Sequence, residues 1–132
     1  MSTIFHLSEA VSLGLHSMVM IAQANDSINA TIIAEKTCAS RNHLAKILQR
    51  LVKQKLVKAT RGPAGGYVLR KKPEDITLLE IYESIEGPIE TPTCPLDRPT
   101  CPFTKCIMGD VVSKVSTEFQ NYLKNNTLRN FI

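Results

Sequence analysis

Three thiols lie in one short stretch, "TCPLDRPTCPFTKC", at Cys94, Cys101 and Cys106, with six residues between the first two and four between the last two. Thiolates are soft ligands that suit iron-sulfur clusters as well as zinc, and clusters usually take four protein ligands. The spacing lacks the C-x-x-C pairs common in structural zinc sites. Proline follows both Cys94 and Cys101 and biases each toward extended backbone, which wraps a loop around a ligand instead of coiling it into helix. The nearest acids are Asp97 and Asp110, and the histidines His6, His16 and His43 all lie far upstream. A fourth ligand would therefore come from another part of the fold. A metal-free alternative, in which the thiols cycle through a disulfide, uses the same residues. No histidine neighbours them in sequence, so a cysteine-nucleophile enzyme is not expected. The fourth cysteine, Cys38, stands alone and reads as a small buried hydrophobe.

Charge supplies a second, independent signal. The net charge of the 132 residues is only +4, but ten basic side chains fall between Arg41 and Lys72, where there is no Asp or Glu. A solvated basic face would scatter lysines along one helix. Excluding every acid from 32 successive positions is instead the electrostatic footprint of a polyanion site. The N-terminal stretch carries Glu9 and two histidines and lacks a basic leader and a small-residue cleavage site, so it does not read as a signal peptide. No run approaches the roughly 18 apolar residues that span a bilayer. Clustered cysteines used as ligands or sensors suit a reducing, cytoplasmic setting.

The elements that would position these groups follow from periodicity. Val11, Leu15, Met18, Val19 and Ala22 predict an amphipathic helix from about Ser8 to Ala24. "ATIIAEKT" predicts a short second helix, and Ser40 caps a third whose Leu44, Ile47, Leu48 and Leu51 form one apolar stripe. "LVKAT" and "YVLR" predict two strands joined by the tight turn "RGPAGG". Thr77 and Glu80 form a capping box for a fourth helix that Gly87 and Pro88 end. After the cysteine loop, Met108, Val111, Val112, Val115, Phe119, Tyr122 and Leu123 make a long apolar stripe, more than a lone terminal helix hides on a small domain, and it predicts a dimer interface. The expected fold is mainly α: a winged helix-turn-helix domain over residues 1–87, a cysteine loop over 88–106, and a dimerisation helix with its tail over 107–132.

In such a fold the third helix enters the major groove by its N-terminal residues. Ser40, Arg41, Asn42 and His43 are the candidates for base contact, since Arg suits guanine and Asn suits adenine by bidentate geometry. Lys46, Arg50 and Lys53 are candidates for phosphate. Arg61, at the mouth of the glycine turn, is placed to enter a narrow minor groove, with Gly62, Gly65 and Gly66 allowing close approach.

The run from "ASRNHLAKILQRL" through "RGPAGGY" to "EDITLLEIYESIEGP", together with the cysteine loop and the final helix, resembles the Rrf-two superfamily of transcription regulators over nearly the whole chain. The resemblance implies a homodimer that binds a roughly palindromic double-stranded operator as a repressor, with Arg61 as its minor-groove arginine. Members with three loop cysteines bind a 2Fe-2S or 4Fe-4S cluster and sense redox state, nitric oxide, O2 or iron-sulfur status, which assigns Cys94, Cys101 and Cys106 as metal ligands. IscR-like members carry a ligand histidine three residues after the last cysteine. This chain has Gly109 there. NsrR-like members use a carboxylate near the start of the partner subunit's first helix, a role that falls here to Glu9, with His6 in reserve and Asp97 or Asp110 behind it. The chain departs from the pattern at Ala64, where glycine is common, at Ala45, where IscR-like members read bases with Glu, and in its cysteine spacing, which is more often five and five.

Overall fold

The computed structural model describes residues 6–90 and 101–132, so Cys94 and Asp97 lie outside the described residues. Helix α1 spans Glu9–Gln23, its first turn capped by Ser8, whose hydroxyl accepts from the Val11 amide. Helix α2, Ala30–Thr37, is capped in the same way by Asn29, and α3, Arg41–Lys53, by Ser40. The stripe expected on α3 is the buried one: Leu44, Ile47, Leu48 and Leu51 are each no more than 3% exposed. They join Met18, Ile33, Ile76 and Ile81 in a single core.

Both helices of the helix-turn-helix end alike. At the end of α2 the Ala39 amide reaches back to the Ala34 carbonyl, and at the end of α3 the Leu56 amide reaches the Leu51 carbonyl. This closure needs a left-handed residue just past each helix, and the positions are held by Cys38 (φ 54°) and Lys55 (φ 62°) instead of glycine. The geometry corrects the expectation for Cys38. A residue in that position projects outward, and its thiol is exposed rather than buried.

Strands β1, Val57–Thr60, and β2, Gly66–Leu69, pair antiparallel with Val57 opposite Leu69 and Thr60 opposite Gly66. Leu56 and Val57 root this hairpin in the core. Ile28, just before α2, exchanges two backbone hydrogen bonds with Tyr67, of 3.2 and 2.8 Å, and so adds a single antiparallel bridge on the outer side of β2. Gly66 is required by that bridge: a Cβ there would come within 2.5 Å of the Ile28 carbonyl oxygen.

Helix α4, Leu78–Glu86, is capped by Thr77, which accepts from the Glu80 amide. The box expected there is half formed, because the Glu80 carboxylate turns to Lys71 at 3.3 Å. Gly87 ends the helix at φ 86°. Helix α5 runs Val111–Asn125, with residues 107–110 in a turn. Beyond it, the chain doubles back along the start of α4: the Leu128 amide donates to the Ile76 carbonyl and the Leu78 amide to the Asn126 carbonyl, both at 3.0 Å. The apolar stripe of α5 divides. Leu123 is buried and the Phe119 ring meets Tyr82 edge-on, with centroids 5.8 Å apart. Met108, Val111, Val115 and Tyr122 remain exposed on this chain.

Gly66→Ala should destabilise the wing by about 1–3 kcal/mol, the usual cost of forcing a group into a filled site, read as a lower urea midpoint at unchanged slope. A shift smaller than roughly 0.5 kcal/mol, the range of a neutral surface change, would show that the Ile28 bridge does not hold the wing.

Candidate functional site

The N-terminal turn of α3 presents Arg41 and Asn42 to solvent, with His43 half-buried beside them. Ser40 accepts from the His43 amide at 3.1 Å, so its oxygen caps the helix while its O–H proton is available to a further acceptor. Free amides and the positive helix end make this turn attractive to phosphate as well as to base edges. Lys46 and Lys53 lie exposed further along the same helix.

Arg50 behaves differently from its neighbours. One guanidinium nitrogen donates to the Ile85 carbonyl at 2.7 Å, satisfying an otherwise unpaired acceptor in the last turn of α4. Lys71 is likewise engaged by Glu80. Two of the ten cations are thus partly committed within the chain.

The wing tip holds Arg61 exposed. Gly62 sits at φ 103°, where a side chain would be strained, with open space around it. The Gly65 amide closes a turn onto the Gly62 carbonyl at 2.9 Å, with Pro63 in the second position where its fixed φ is already suitable. Gly65 and Gly66 face backbone of this same chain closely, a packing reason for glycine that exists whether or not DNA is near. Sequence reasoning missed Ser27, whose hydroxyl donates to the Ala64 carbonyl at 2.6 Å. Nothing in the sequence signals a bond between positions 37 residues apart.

Cys101 and Cys106 are both exposed free thiols. The backbone amides of Asp110, then Met108 and Gly109, direct hydrogen bonds at the Cys106 sulfur and hold its thiol below the usual range, against the nearby Asp110 carboxylate. Gly109 (φ 56°) and Asp110 (φ 64°) are both left-handed, which turns successive amides to one side. Metal ligation requires the thiolate, so the chemistry of this donor fits a soft-metal site. Among the described residues no three His, Cys, Asp or Glu side chains gather into a metal-binding group, and the third loop cysteine, Cys94, lies outside those residues. Asp110 stands at the start of α5 without a side-chain capping bond.

Glu9 and its neighbour join three parts of the fold. The Ser8 hydroxyl donates to a carboxylate oxygen of Glu86, on the last residue of α4. The Glu9 carboxylate is 3.9 Å from His43 Nδ1, with the glutamate side chain 82% exposed. Such an exposed pair adds little to stability, but it places the carboxylate beside the recognition turn of its own chain. His6 lies exposed just upstream of α1. Along α1, His16 Nδ1 is 2.6 Å from the Ser12 carbonyl oxygen; since a carbonyl only accepts, that nitrogen carries the proton. Among the described residues no helix is long and apolar enough to cross a membrane.

Comparison with known proteins gives a consistent result. The transcriptional regulator BadM of Rhodopseudomonas palustris is 38% identical over 81 residues, 61% of this chain and 52% of BadM. The HTH-type transcriptional regulator IscR of Escherichia coli is 28% identical over 96 residues, 73% of this chain and 59% of IscR. The matches thus span a little over half the length of these relatives. Among solved structures, CymR, the global cysteine regulator of B. subtilis, superposes with a TM-score of 0.78 at 25% identity, covering 96% of this chain and 95% of CymR. IscR of T. potens superposes at 0.75 and 26%, covering 96% and 85%. Residues 7–132 match the Rrf2 family, described as iron-dependent transcriptional regulator, and with its helix-turn-helix, wing and α5 in place the chain belongs to that family.

Proposed function

We propose that the protein is a homodimeric, operator-binding transcription regulator whose segment 88–106 holds an iron-sulfur cluster through Cys94, Cys101 and Cys106. Glu9 of a second copy is the fourth ligand in this reading. The observation that carries it is the junction at the last turn of α4. From this turn the cysteine segment departs, and to it the recognition helix is bonded through Arg50 and the Ile85 carbonyl.

The cluster supplies redox-responsive iron held by thiolates. The residues supply the coupling. Amides of Asp110, Met108 and Gly109 lower the pKa of the Cys106 thiol and so favour its thiolate, and Ser8 ties the first turn of α1 to Glu86. A change in the order of the loop is thereby felt at α1 and α3, the elements that carry Glu9 and the base-reading turn. The exposed face of α5, with Val111, Val115 and Tyr122, continues into a groove lined by Leu15, Val19, Met20 and Phe131. A second copy covering it would set the separation of two recognition helices, and only half-sites about 34 Å apart would bind well. Loop state then shifts the population between binding and non-binding dimers. Domain limits at residues 87 and 106 follow from the same assignment.

One observation favours a second reading, metal-free thiol switching: an amide-stabilised Cys106 thiolate is also a good target for oxidants.

Protein purified without oxygen should be coloured, with visible absorbance and bound iron and sulfide that are lost in Cys101→Ala. A colourless protein with full iron-free activity overturns the cluster and leaves the thiol reading. Arg61→Ala should weaken duplex binding roughly 5- to 150-fold, the range of one specific arginine, and wild-type affinity should fall steeply with salt; salt-insensitive binding contradicts both. Because donors to the sulfur lower its pKa, metal-free Cys106 should be alkylated by iodoacetamide faster than free cysteine at pH 7. That advantage should shrink as pH rises past the ordinary thiol pKa. Peptide mass spectrometry of Cys106 across the pH series reads this, and a profile matching free cysteine refutes it.

A further inference from the structure

The wing is held to the helical body at two levels. At its base, Ile28 pairs with Tyr67 through backbone alone. At its tip, the Ser27 hydroxyl donates to the Ala64 carbonyl, in the turn that the Gly65 amide closes onto Gly62. Between them Thr60 Oγ1 accepts from the Gly66 amide and donates to the Gly66 carbonyl, at 3.1 and 3.2 Å. Thr60 thus stiffens the hairpin internally, whereas Ser27 fixes where its tip points. The segment is well placed for this, since Asn29, two residues on, caps α2, and α2 leads through Cys38 and Ala39 into the recognition helix.

We propose that Ser27 is a positioning residue for DNA binding: its hydroxyl, holding the Ala64 carbonyl, sets the wing tip so that Arg61 meets the minor groove in the same register as α3 meets the major groove. The inference rests on the reading of the wing as a DNA contact. Residues 61–65 are glycine-rich and carry no buried apolar anchor. Without the latch they would have to be ordered at the moment of binding, and that loss of freedom would subtract from affinity. Arg61 would gain least from α3 already being docked, because effective concentration depends on how narrowly the connection restricts the second group. Ala64 contributes through its main chain, so the side chain at 64 is free to differ.

The test is a double-mutant cycle with the tightest duplex that the wild-type protein selects from a randomised library, using full-length protein isolated anaerobically. Ser27→Ala should weaken binding about fivefold, the worth of one hydrogen bond, while Ser27→Thr, which keeps the hydroxyl, restores it. In an Arg61→Ala background Ser27→Ala should change affinity less than about twofold, since residues acting through one contact are non-additive. The melting temperature of Ser27→Ala, measured alongside, separates a loosened wing from a failing fold. Equal losses with and without Arg61 would mean a general structural effect and overturn the proposal, as would unchanged affinity of Ser27→Ala. If Arg61→Ala itself does nothing, the wing does not contact DNA and the proposal falls with that reading, whereas the cycle failing beside a strong Arg61 effect removes the latch alone.

Discussion

Burial of one face of α3 is the constraint on which the rest depends. Leu44, Ile47, Leu48 and Leu51 lie in the core against α1, α2 and α4. Their spacing of three and four residues leaves the opposite face, with Arg41, Asn42, Lys46 and Lys53, no choice but solvent. Every basic group of α3 proposed to meet DNA takes its direction from that packing. The stripe also fixes the rotation of the helix, so a small displacement of its neighbours moves the reading turn as a rigid unit.

Polar ties around that core are few and local to the ends of elements. Arg50 satisfies a carbonyl at the end of α4, Ser8 reaches Glu86 on the same turn, and Ser40 and Asn29 cap α3 and α2. Apart from the Ser8–Glu86 bond, which joins two side chains, these ties satisfy backbone groups that a helix leaves unpaired, so the fold's hydrogen-bonding needs place connections just where the cysteine segment, the recognition turn and the wing begin. In the proposed function, coupling between the cysteine segment and the recognition turn would need no special device beyond helix ends that share partners.

Family and local elements were more legible than contact. The limits of α2 at Ala30–Thr37, the start of α3 after Ser40, the hairpin and the family were readable because capping, periodicity and turn chemistry are local. Cys38 was misjudged because hydrophobicity suggested burial, while its left-handed position past α2 decides which way it points. Gly66 looked like an allowance for DNA, yet Ile28 approaches it from 38 positions upstream. The apolar stripe of α5 read as one surface, but Phe119 packs on Tyr82 and Leu123 enters the core while Val111, Val115 and Tyr122 stay exposed.

Composition and spacing by themselves determined that an acid-free basic region, three clustered thiols and a winged helix-turn-helix occur in one chain, since each is a pattern of neighbours along the sequence. Only the tertiary structure decided that Arg50 and Lys71 bond within the chain, that Ser27 holds the wing tip, and that the Asp110, Met108 and Gly109 amides converge on Cys106. Arg50 and Ser27 reach partners 35 and 37 positions away, and Lys71 one nine positions away. The convergence on Cys106 depends on the handedness of two backbone angles. Distance in space and sign of φ are both settled by packing, and neither leaves a periodic trace for a reader of the sequence.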